Sequence, residues 1–271
     1  YYGVSCFGAV CHTINPRLHP DQIEFIINDA DDQLLFIDVM FIDAIKAIRH
    51  KLPTLKKIIV LTSDQSTIEG LDDDWEIYEE ALANQDTDFS WPELNENDAC
   101  SLCYTSGTTG NPKGVLYSHR SLVLHAMTEV TPNALGISRK DVILPVVPMF
   151  HVNAWGIPYL PALTGCKLVF AGPKAADGEA LESLLREEKV TLAAGVPTIW
   201  KFLHDYLEAN NIKLTHLQKL LVGGSAMPPS LFSYFEKQQD LTVIHAWGMT
   251  EMSPIGTINH LQPEKFKALP E

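Results

Sequence analysis

Basic residues are scarce in this sequence. Its 271 residues include 20 Lys and Arg against 34 Asp and Glu, which gives a formal charge of −14 at pH 7. A phosphate backbone would be repelled by this balance, so nucleic-acid binding is not expected. Between Lys57 and Lys113 there is no Lys or Arg at all. We interpret the acidic residues of that stretch as a solvated surface or linker without chemistry.

The sequence also lacks the cysteine pattern of a secreted disulfide protein or a zinc site. It has five cysteines, an odd number, and no secretory signal at its start, which favours a reduced, cytoplasmic protein. Cys100 and Cys103 have the spacing of a redox or zinc motif, but no second pair accompanies them. Because they lie in an apolar run typical of a strand, we predict that they are buried structural thiols.

No stretch has the composition of a membrane span. Residues 142–166 carry no charge, but four prolines each remove a backbone donor, and His151 and Asn153 lie in the middle. We therefore predict a pocket wall there and no transmembrane segment. Residue 1 is Tyr, and nothing resembling a leader precedes sequence typical of a folded domain, so we expect the chain to be a fragment.

Short apolar runs alternate with amphipathic stretches, which predicts α/β architecture with layered, largely parallel sheets and flanking helices. The predicted helices are Gln22–Ala30 capped by Asp21, Ile42–His50, Ser118–Glu129, Gly178–Glu188, and two that follow Pro197 and Pro229. In the helix after Pro197, an apolar stripe of Ile199, Phe202, Leu203, Tyr206 and Leu207 is expected to pack. The predicted strands are Leu34–Ile37, Ile58–Thr62, Thr191–Ala194, Val243–His245, and runs at Leu102, Val142, Leu168 and Leu220.

One loop has a composition suited to binding phosphate. Residues 104–114 read Tyr-Thr-Ser-Gly-Thr-Thr-Gly-Asn-Pro-Lys-Gly and follow a predicted strand. The glycines allow backbone N–H groups to turn toward an anion, the hydroxyls add donors, and Lys113 adds a cation. The Walker A spacing is absent, because Pro112 precedes the lysine and Gly114 stands where that motif has its magnesium-binding hydroxyl. The GxGxxG pattern of dinucleotide sites is also absent.

This loop resembles the phosphate-binding signature of the AMP-forming adenylating enzymes, the superfamily of acyl-CoA synthetases, luciferases and peptide-synthetase adenylation domains. The resemblance implies that Lys113 is catalytic and that ATP contacts Thr105, Ser106, Gly107, Thr108, Thr109 and Gly110.

Two later segments match the same family in the same order. The small residues Gly223, Gly224, Ser225 and Ala226 match its adenine-site loop. Residues 247–251 match its aromatic-Gly-x-Thr-Glu motif, which implies that Trp247, Gly248 and Met249 contact the nucleotide. By the same resemblance, Thr250 contacts the α-phosphate and Glu251 holds Mg²⁺. Trp247 stands where the family usually has Tyr, which preserves stacking on adenine but removes a hydroxyl hydrogen bond.

A further segment, residues 148–156, resembles the acyl-pocket segment of fatty-acyl-CoA synthetases. Taken alone, a His in an apolar run and a Trp are more often core residues. The resemblance implies instead that His151 lines the carboxylate end of the pocket and acts in catalysis, and that Trp155 is an aromatic gate. It also implies that Gly195 and Val196 form the turn behind the acyl pocket.

The resemblance covers nearly the whole chain and implies a function. Residues 1–271 are expected to be the central part of the AMP-binding domain, truncated at both ends, without the family's small C-terminal domain, its catalytic lysine or its ribose aspartate. The implied reaction activates a medium- or long-chain fatty acid to acyl-adenylate and then acyl-CoA, with ATP, Mg²⁺ and CoA. The fragment alone is expected to be inactive. Uncovered apolar surface around Tyr1–Val10 is expected to favour self-association, with a homodimer left open.

Two alternatives remain open at this stage. An enzyme for an aryl or other apolar acid would share every phosphate motif, whereas an amino-acid enzyme usually has an aspartate in the uncharged acyl-pocket segment. A hydrolase is the alternative of another class, because Gly224-Ser225 suggests a nucleophile elbow, but Met227 stands where GxSxG needs its second glycine. The chain length of the acid, the oligomeric state and the organism do not follow from the sequence.

Overall fold

The computed structural model describes residues 1–83, 85–105 and 110–259. The chain divides into two compact units, a first unit of residues 1–116 and a second that begins at Tyr117. Each unit has its own sheets and its own buried core. The predicted α/β architecture of largely parallel sheets with flanking helices is confirmed.

The first unit contains two three-stranded sheets. Its strands are β1 (Cys11–His12), β2 (Leu34–Ile37), β3 (Lys57–Val60), β4 (Trp75–Ile77), β5 (Ala99–Thr105) and β6 (Lys113–Ser118), whose last residues belong to the second unit. Its helices are α1 (Tyr2–Phe7), α2 (Pro20–Asp29), α3 (Ile42–Ile48) and α4 (Tyr78–Ala83). The strand orders are β2-β3-β4, with parallel pairing throughout, and β1-β5-β6. The first of these sheets buries Ile58 and Val60 completely, together with Ile27 of α2.

The second unit is built on a six-stranded sheet in the order β12-β11-β10-β9-β7-β8. The strands are β7 (Val142–Pro145), β8 (Lys167–Leu168), β9 (Leu192–Gly195), β10 (Lys219–Val222), β11 (Thr242–Gly248) and β12 (Ile255–Ile258). Neighbours pair in parallel except at the edge, where β12 is antiparallel to β11. Leu192, Ala193, Leu220 and Leu221 are 0% exposed, as expected of parallel strands that are covered on both faces.

Helices cover this sheet and carry clear end signals. They are α5 (His119–Glu129), α6 (Val152–Trp155), α7 (Leu160–Thr164), α8 (Gly178–Glu187), α9 (Pro197–Asn210) and α10 (Pro229–Ser233). Ser118 caps α5 by accepting a hydrogen bond from the Ser121 amide, and Asp177 caps α8 in the same way. Asn211 ends α9 in the left-handed conformation. These local signals explain why the helix positions follow the sequence pattern closely.

Several details differ from the sequence predictions. Asp21 does not cap α2; the side chain of His19 does, because Pro20 is the first helical residue. The predicted helix Ile42–His50 leaves α geometry after Ile48 and tightens into a 3₁₀ turn. In the predicted stripe of α9, Leu203 and Leu207 are buried and Ile199 packs against the core, as expected. Phe202 departs from the prediction because it is 44% exposed, and Trp200, which the predicted stripe does not include, is 0% exposed.

Two interpretations from composition can also be compared with the structure. Cys100 and Cys103 are each 1% exposed, so the prediction of buried thiols is confirmed, and burial raises the pKa of Cys100 to about 11. Asp74, within the acidic stretch, accepts a hydrogen bond from Arg49 Nε at 2.7 Å and is therefore not simply solvated. Among the described residues, none of the helices combines the length and apolar character that crossing a bilayer requires.

Candidate functional site

The phosphate-loop candidate connects two neighbouring strands of the first unit. Strand β5 ends at Thr105 and β6 begins at Lys113, while Ser106, Gly107, Thr108 and Thr109 lie outside the described residues. The Thr105 hydroxyl donates to the Lys113 carbonyl at 3.5 Å, which closes the base of the loop. Gly110 has a φ of +96°, a conformation that favours glycine. Lys113 is exposed, so its charge is available to an anion.

Tyr104, the first residue of this loop, contacts Asp29 of α2 and His12 of β1. Its hydroxyl donates to Asp29 Oδ2 at 2.7 Å, and its ring lies 5.1 Å from that of His12. His12 in turn pairs with Asp32, with 2.8 Å between Nδ1 and Oδ2. Burial and the hydrogen bond to Asp29 raise the pKa of Tyr104, so it remains a donor at neutral pH. These contacts fix the start of the loop in the first unit, and Tyr104 had no assigned role in the sequence analysis.

In the second unit, three predicted segments follow three adjacent parallel strands. Gly195 ends β9 and Val196 follows it, Gly223 to Ala226 follow β10, and Trp247 to Glu251 end or follow β11. Because these strands are neighbours in the order β11-β10-β9, their carboxyl ends place the segments side by side along one edge. After β7 the chain continues to β8 on one side, and after β9 it continues to β10 on the other side. Ligands bind at such topological switch points in parallel α/β sheets.

The acyl-pocket segment contains an unusual backbone turn. Val152, Asn153, Ala154 and Trp155 all have φ between +48° and +60°, so α6 is a single left-handed turn, which ends at Gly156 with φ +80°. This conformation costs non-glycine residues roughly 1–2 kcal/mol each. Such strain persists only where the surroundings hold it, and it is often found at functional sites.

Trp155 is buried by this turn and packs against the adenine-loop candidate. It is 6% exposed, and a Cβ placed on Gly223 would lie 2.9 Å from Cη2 of its indole. The free face of Gly223 is therefore occupied by the ring of Trp155. The two segments assigned to different substrates on sequence grounds, acyl group and nucleotide, are in direct contact.

Other predicted residues of this edge have distinct surroundings. Gly195 makes room for the core residue Trp200, whose indole N–H donates to the Gly195 carbonyl at 3.2 Å. A Cβ on Gly224 would lie 3.2 Å from Cγ1 of Val196, which places these two predicted residues in contact. The residues Gly224, Ser225 and Ala226 are exposed. A flat ligand can therefore approach their backbone from solvent.

His151 lies at the rim of the acyl-pocket segment. Its side chain is exposed, whereas Val152 to Pro158 are buried. The apolar groups on its inner side remove part of its hydration and lower the pKa of the imidazole. His151 is therefore neutral at pH 7 and can accept as well as donate a hydrogen bond.

The backbone of the segment from Trp247 to Glu251 is fixed by hydrogen bonds, whereas the side chains of Trp247 and Glu251 are exposed to solvent. The Tyr117 hydroxyl donates to the Thr250 carbonyl at 2.5 Å, and the Met249 amide donates to the Pro254 carbonyl at 3.0 Å. Trp247 is 56% exposed, and the Glu251 carboxylate is also exposed. An exposed indole can stack on a planar ring, and an exposed carboxylate can bind a hard cation.

The surroundings of Glu251 suit Mg²⁺ bound together with a substrate. No group of three His, Cys, Asp or Glu that could hold a metal occurs within residues 1–83, 85–105 and 110–259. Mg²⁺ commonly uses one or two carboxylates, substrate phosphates and water rather than a cage of protein ligands. A single exposed carboxylate is compatible with that arrangement.

Two residues of α5 near this edge were missed by the sequence analysis. His125 accepts a hydrogen bond from the Ile255 amide at 3.1 Å, and Glu129, one turn later, is 2% exposed. A signal was present, because Leu122, Ala126 and Glu129 lie on one buried face of α5 and the third position is a carboxylate.

Comparison with known proteins identifies the family. A family model described as "AMP-binding enzyme" matches residues 1–270. The chain belongs to this AMP-binding enzyme family. It is 49% identical over 275 residues to a 3-methylmercaptopropionyl-CoA ligase of Ruegeria pomeroyi, covering 100% of this chain and 50% of the relative. It is 49% identical over 259 residues to a medium-chain-fatty-acid–CoA ligase of Ectopseudomonas oleovorans, covering 96% and 47%.

A solved CoA ligase structure has the same fold. The anthranilate CoA ligase AuaEII, crystallised with anthranoyl-AMP, superposes with a TM-score of 0.86 at 25% identity, covering 97% of this chain and 50% of that one. The chain thus spans about half the length of the curated relatives it matches. The expected fold class is confirmed by this superposition, whereas the assignment of residues 1–271 to the central part of the domain stays a prediction.

Proposed function

We propose that this AMP-binding chain belongs to a ligase that activates a medium- or long-chain fatty acid with ATP and transfers the acyl group to CoA. The observation that carries the proposal is the row of segments at the carboxyl edge of the second unit's sheet. The same sheet also carries the acyl-pocket segment after β7, with exposed His151 and buried Trp155. In that unit, most of the residues that we expect to contact the nucleotide are exposed. The family match is independent support.

The proposed chemistry has two steps. A carboxylate is a poor electrophile, so its oxygen first attacks the α-phosphorus of ATP, and pyrophosphate leaves. The CoA thiol then attacks the acyl carbon of the mixed anhydride, and AMP leaves. No side-chain nucleophile is required, since ATP supplies the activation.

The residues of the chain act on charge and position in this scheme. Negative charge grows on phosphate oxygens in the first step, and Lys113, the amides of the 105–110 loop and Thr250 offset it. Glu251 would hold Mg²⁺, which when bound supplies Lewis-acid stabilisation of the phosphates. The neutral imidazole of His151 would orient the substrate carboxylate. Trp247 would stack on the adenine, with Gly223 to Ala226 beside it.

An apolar acid is favoured by the lining of the acyl segment. Residues 142–166 carry no charge, and Trp155 is packed within an apolar cluster with Ile157 and Leu160. This segment itself contains no carboxylate for an ammonium group, and the buried carboxyl beside Gly156, that of Glu129, has a raised pKa that disfavours its ionised form. An amino acid is therefore disfavoured. The acid itself is a finer question, because the two relatives at 49% identity act, by their names, on a sulfur-containing propionate and on medium-chain fatty acids.

A short sulfur-containing acid is therefore the second candidate substrate.

The hydrolase alternative is weakened by the contacts of Ser225. His245 Nε2 lies 3.2 Å from the Ser225 carbonyl oxygen, whereas a serine nucleophile needs its base at the hydroxyl.

The test is acid-dependent exchange of pyrophosphate into ATP by the full-length protein. The panel contains acetate, 3-(methylthio)propionate, octanoate, palmitate and benzoate, with CoA-thioester formation measured separately. The proposal predicts the highest kcat/KM with octanoate or palmitate. A preference for 3-(methylthio)propionate or benzoate would replace the proposed substrate but keep the ligase. Ester hydrolysis without ATP, and no exchange with any acid, would refute the ligase.

A further inference from the structure

Helix α5 and the residue before its cap contact the Thr250–Ile255 segment at both ends. Tyr117 donates its hydroxyl proton to the Thr250 carbonyl, and the Ile255 amide donates to Nε2 of His125. The segment between these two bonds includes Glu251. Its backbone is thereby bound at one end by Tyr117 of β6 and at the other by His125 of α5.

His125 also contacts the acyl-pocket turn. A Cβ placed on Gly156 would lie 2.8 Å from His125 Nδ1 and 3.0 Å from Glu129 Oε2. Gly156 ends the left-handed turn that carries Trp155. The imidazole therefore packs against the turn that carries Trp155, and its Nε2 accepts a hydrogen bond from Ile255, the first residue of the strand after Glu251.

The protonation of the pair follows from one hydrogen bond and from burial. Because Nε2 accepts the Ile255 amide, the proton of a neutral imidazole is on Nδ1. This nitrogen lies 3.5 Å from Glu129 Oε2, and neither atom has a hydrogen-bond partner among the described residues. The side chains of His125 and Glu129 are 9% and 2% exposed. Burial lowers the pKa of His125 to about 4 and raises that of Glu129. His125 is therefore neutral at pH 7, and burial favours the protonated form of Glu129. The imidazole is kept in the tautomer that accepts from Ile255.

We propose that His125 is a positioning residue that couples the acyl-pocket turn at Gly156 to the segment carrying Thr250 and Glu251. A displacement of the turn by an acyl chain would move the ring of His125, and through Ile255 it would move the backbone behind Glu251. This inference rests on the proposed function for its catalytic readout but not for its structural one.

Two pairs of variants test the coupling in the full-length protein. His125→Gln keeps an acceptor near the position of Nε2, whereas His125→Leu has none. Gly156→Ala pushes a methyl group against the His125 ring. Gly165→Ala is its matched control, because Gly165 has a similar φ of +74° but its nearest neighbour is Arg139 Cβ at 3.8 Å.

The structural readout is hydrogen exchange of the Ile255 amide, which needs no substrate. His125→Leu and Gly156→Ala should accelerate this exchange at least tenfold, whereas His125→Gln and Gly165→Ala should leave it within about threefold of wild type. Acceleration by Gly165→Ala equal to that of Gly156→Ala, or wild-type protection in His125→Leu, would overturn the proposal.

The catalytic readout separates positioning from a merely structural role. His125→Leu should lower kcat for acid-dependent pyrophosphate exchange at least tenfold and raise the KM for the acid, and His125→Gln should restore most of both. Equal losses in the two variants would overturn the proposal. If none of the acids supports pyrophosphate exchange by the wild-type protein, the proposed function fails. Hydrogen exchange of the Ile255 amide in the four variants still decides whether the coupling exists.

Discussion

Gly223→Ala adds one methyl group where the adenine-loop candidate meets Trp155, the proposed acyl gate. The new Cβ would lie 2.9 Å from Cη2 and 3.2 Å from Cζ2 of Trp155. Carbon atoms normally pack at about 3.5–4.0 Å, so the indole must move by roughly 0.6 Å or more. Gly223 does not have a positive φ, and the substitution therefore adds no backbone strain. Overpacking of this kind costs about 1–3 kcal/mol of folding free energy.

The expected functional result is a change in the choice of acid. Trp155 is 6% exposed, and in the proposed function it borders the acyl chain, so its displacement should alter the space for that chain. If about 1 kcal/mol of the overpacking energy is felt in acid binding, the ratio of kcat/KM between palmitate and acetate changes about fivefold. The measurement is that ratio in the full-length protein, together with the KM for ATP and the free energy of unfolding.

Two controls make this prediction refutable. Gly3→Ala adds the same methyl group in α1 with no atom within 4 Å, and should leave both the acid ratio and the stability near wild type. Trp155→Phe removes the atoms that clash, so Gly223→Ala should destabilise the Trp155→Phe background less than the wild type, with a coupling of about 0.5–3 kcal/mol. Equal destabilisation in the two backgrounds would show that the contact does not constrain Trp155.

Four further substitutions have defined expected outcomes. Trp155→Ala should cost about 3–5 kcal/mol of stability, because it empties a buried site, and should change the acid preference more than the KM for ATP; an unchanged acid profile would make Trp155 a core residue only. Lys113→Met should weaken ATP-dependent exchange with a stability change within about 0.5 kcal/mol, since the side chain is exposed; an equal loss of stability would argue against a role in phosphate binding. Glu251→Gln should raise the magnesium concentration needed for half-maximal exchange, and an unchanged requirement would remove Glu251 from the metal site. Glu129→Gln should stabilise the protein at pH 7.5 relative to wild type, because the raised pKa of Glu129 means that the unfolded chain releases a proton above pH 4.5 that the folded chain keeps. This proton makes the free energy of unfolding of the wild type fall by about 1.4 kcal/mol per pH unit between pH 4.5 and the pKa of Glu129 in the folded protein. The extra stability of Glu129→Gln should therefore vanish in unfolding curves at pH 4.5.

Local signals explain why much of the fold could be predicted. The phosphate-loop candidate was recognisable because glycine, hydroxyl and lysine residues are concentrated in eleven consecutive positions, Tyr104–Gly114. Strands such as β2 were recognisable as short apolar runs between polar turns. At the start of α2, His19 and Asp21 on either side of Pro20 can each accept a capping hydrogen bond, and Pro20 as the first helical residue decides in favour of His19. Boundaries of this kind depend on single residues and shift easily.

The left-handed turn could not be predicted, because its cause is not local. Val152 is β-branched, and a positive φ is rare for such a residue. Composition therefore argues against the conformation found. The contacts that hold the turn come from Gly223, more than 60 positions later, and from His125, more than 20 positions earlier. Hydrophobic periodicity carries no information about such pairs.

Glu129 shows the same limit for electrostatics. The formal charge of −14 counts this side chain as ionised. In the fold it is 2% exposed beside an imidazole that is itself neutral, and burial raises its pKa. An ionised carboxylate there would need a buried cation to offset its lost hydration, and His125 is already committed as an acceptor to the Ile255 amide. The raised pKa of Glu129 thus follows from its burial, with no cation beside it to offset that burial. The hydrogen bond that commits His125 as an acceptor exists only once β12 lies beside α5.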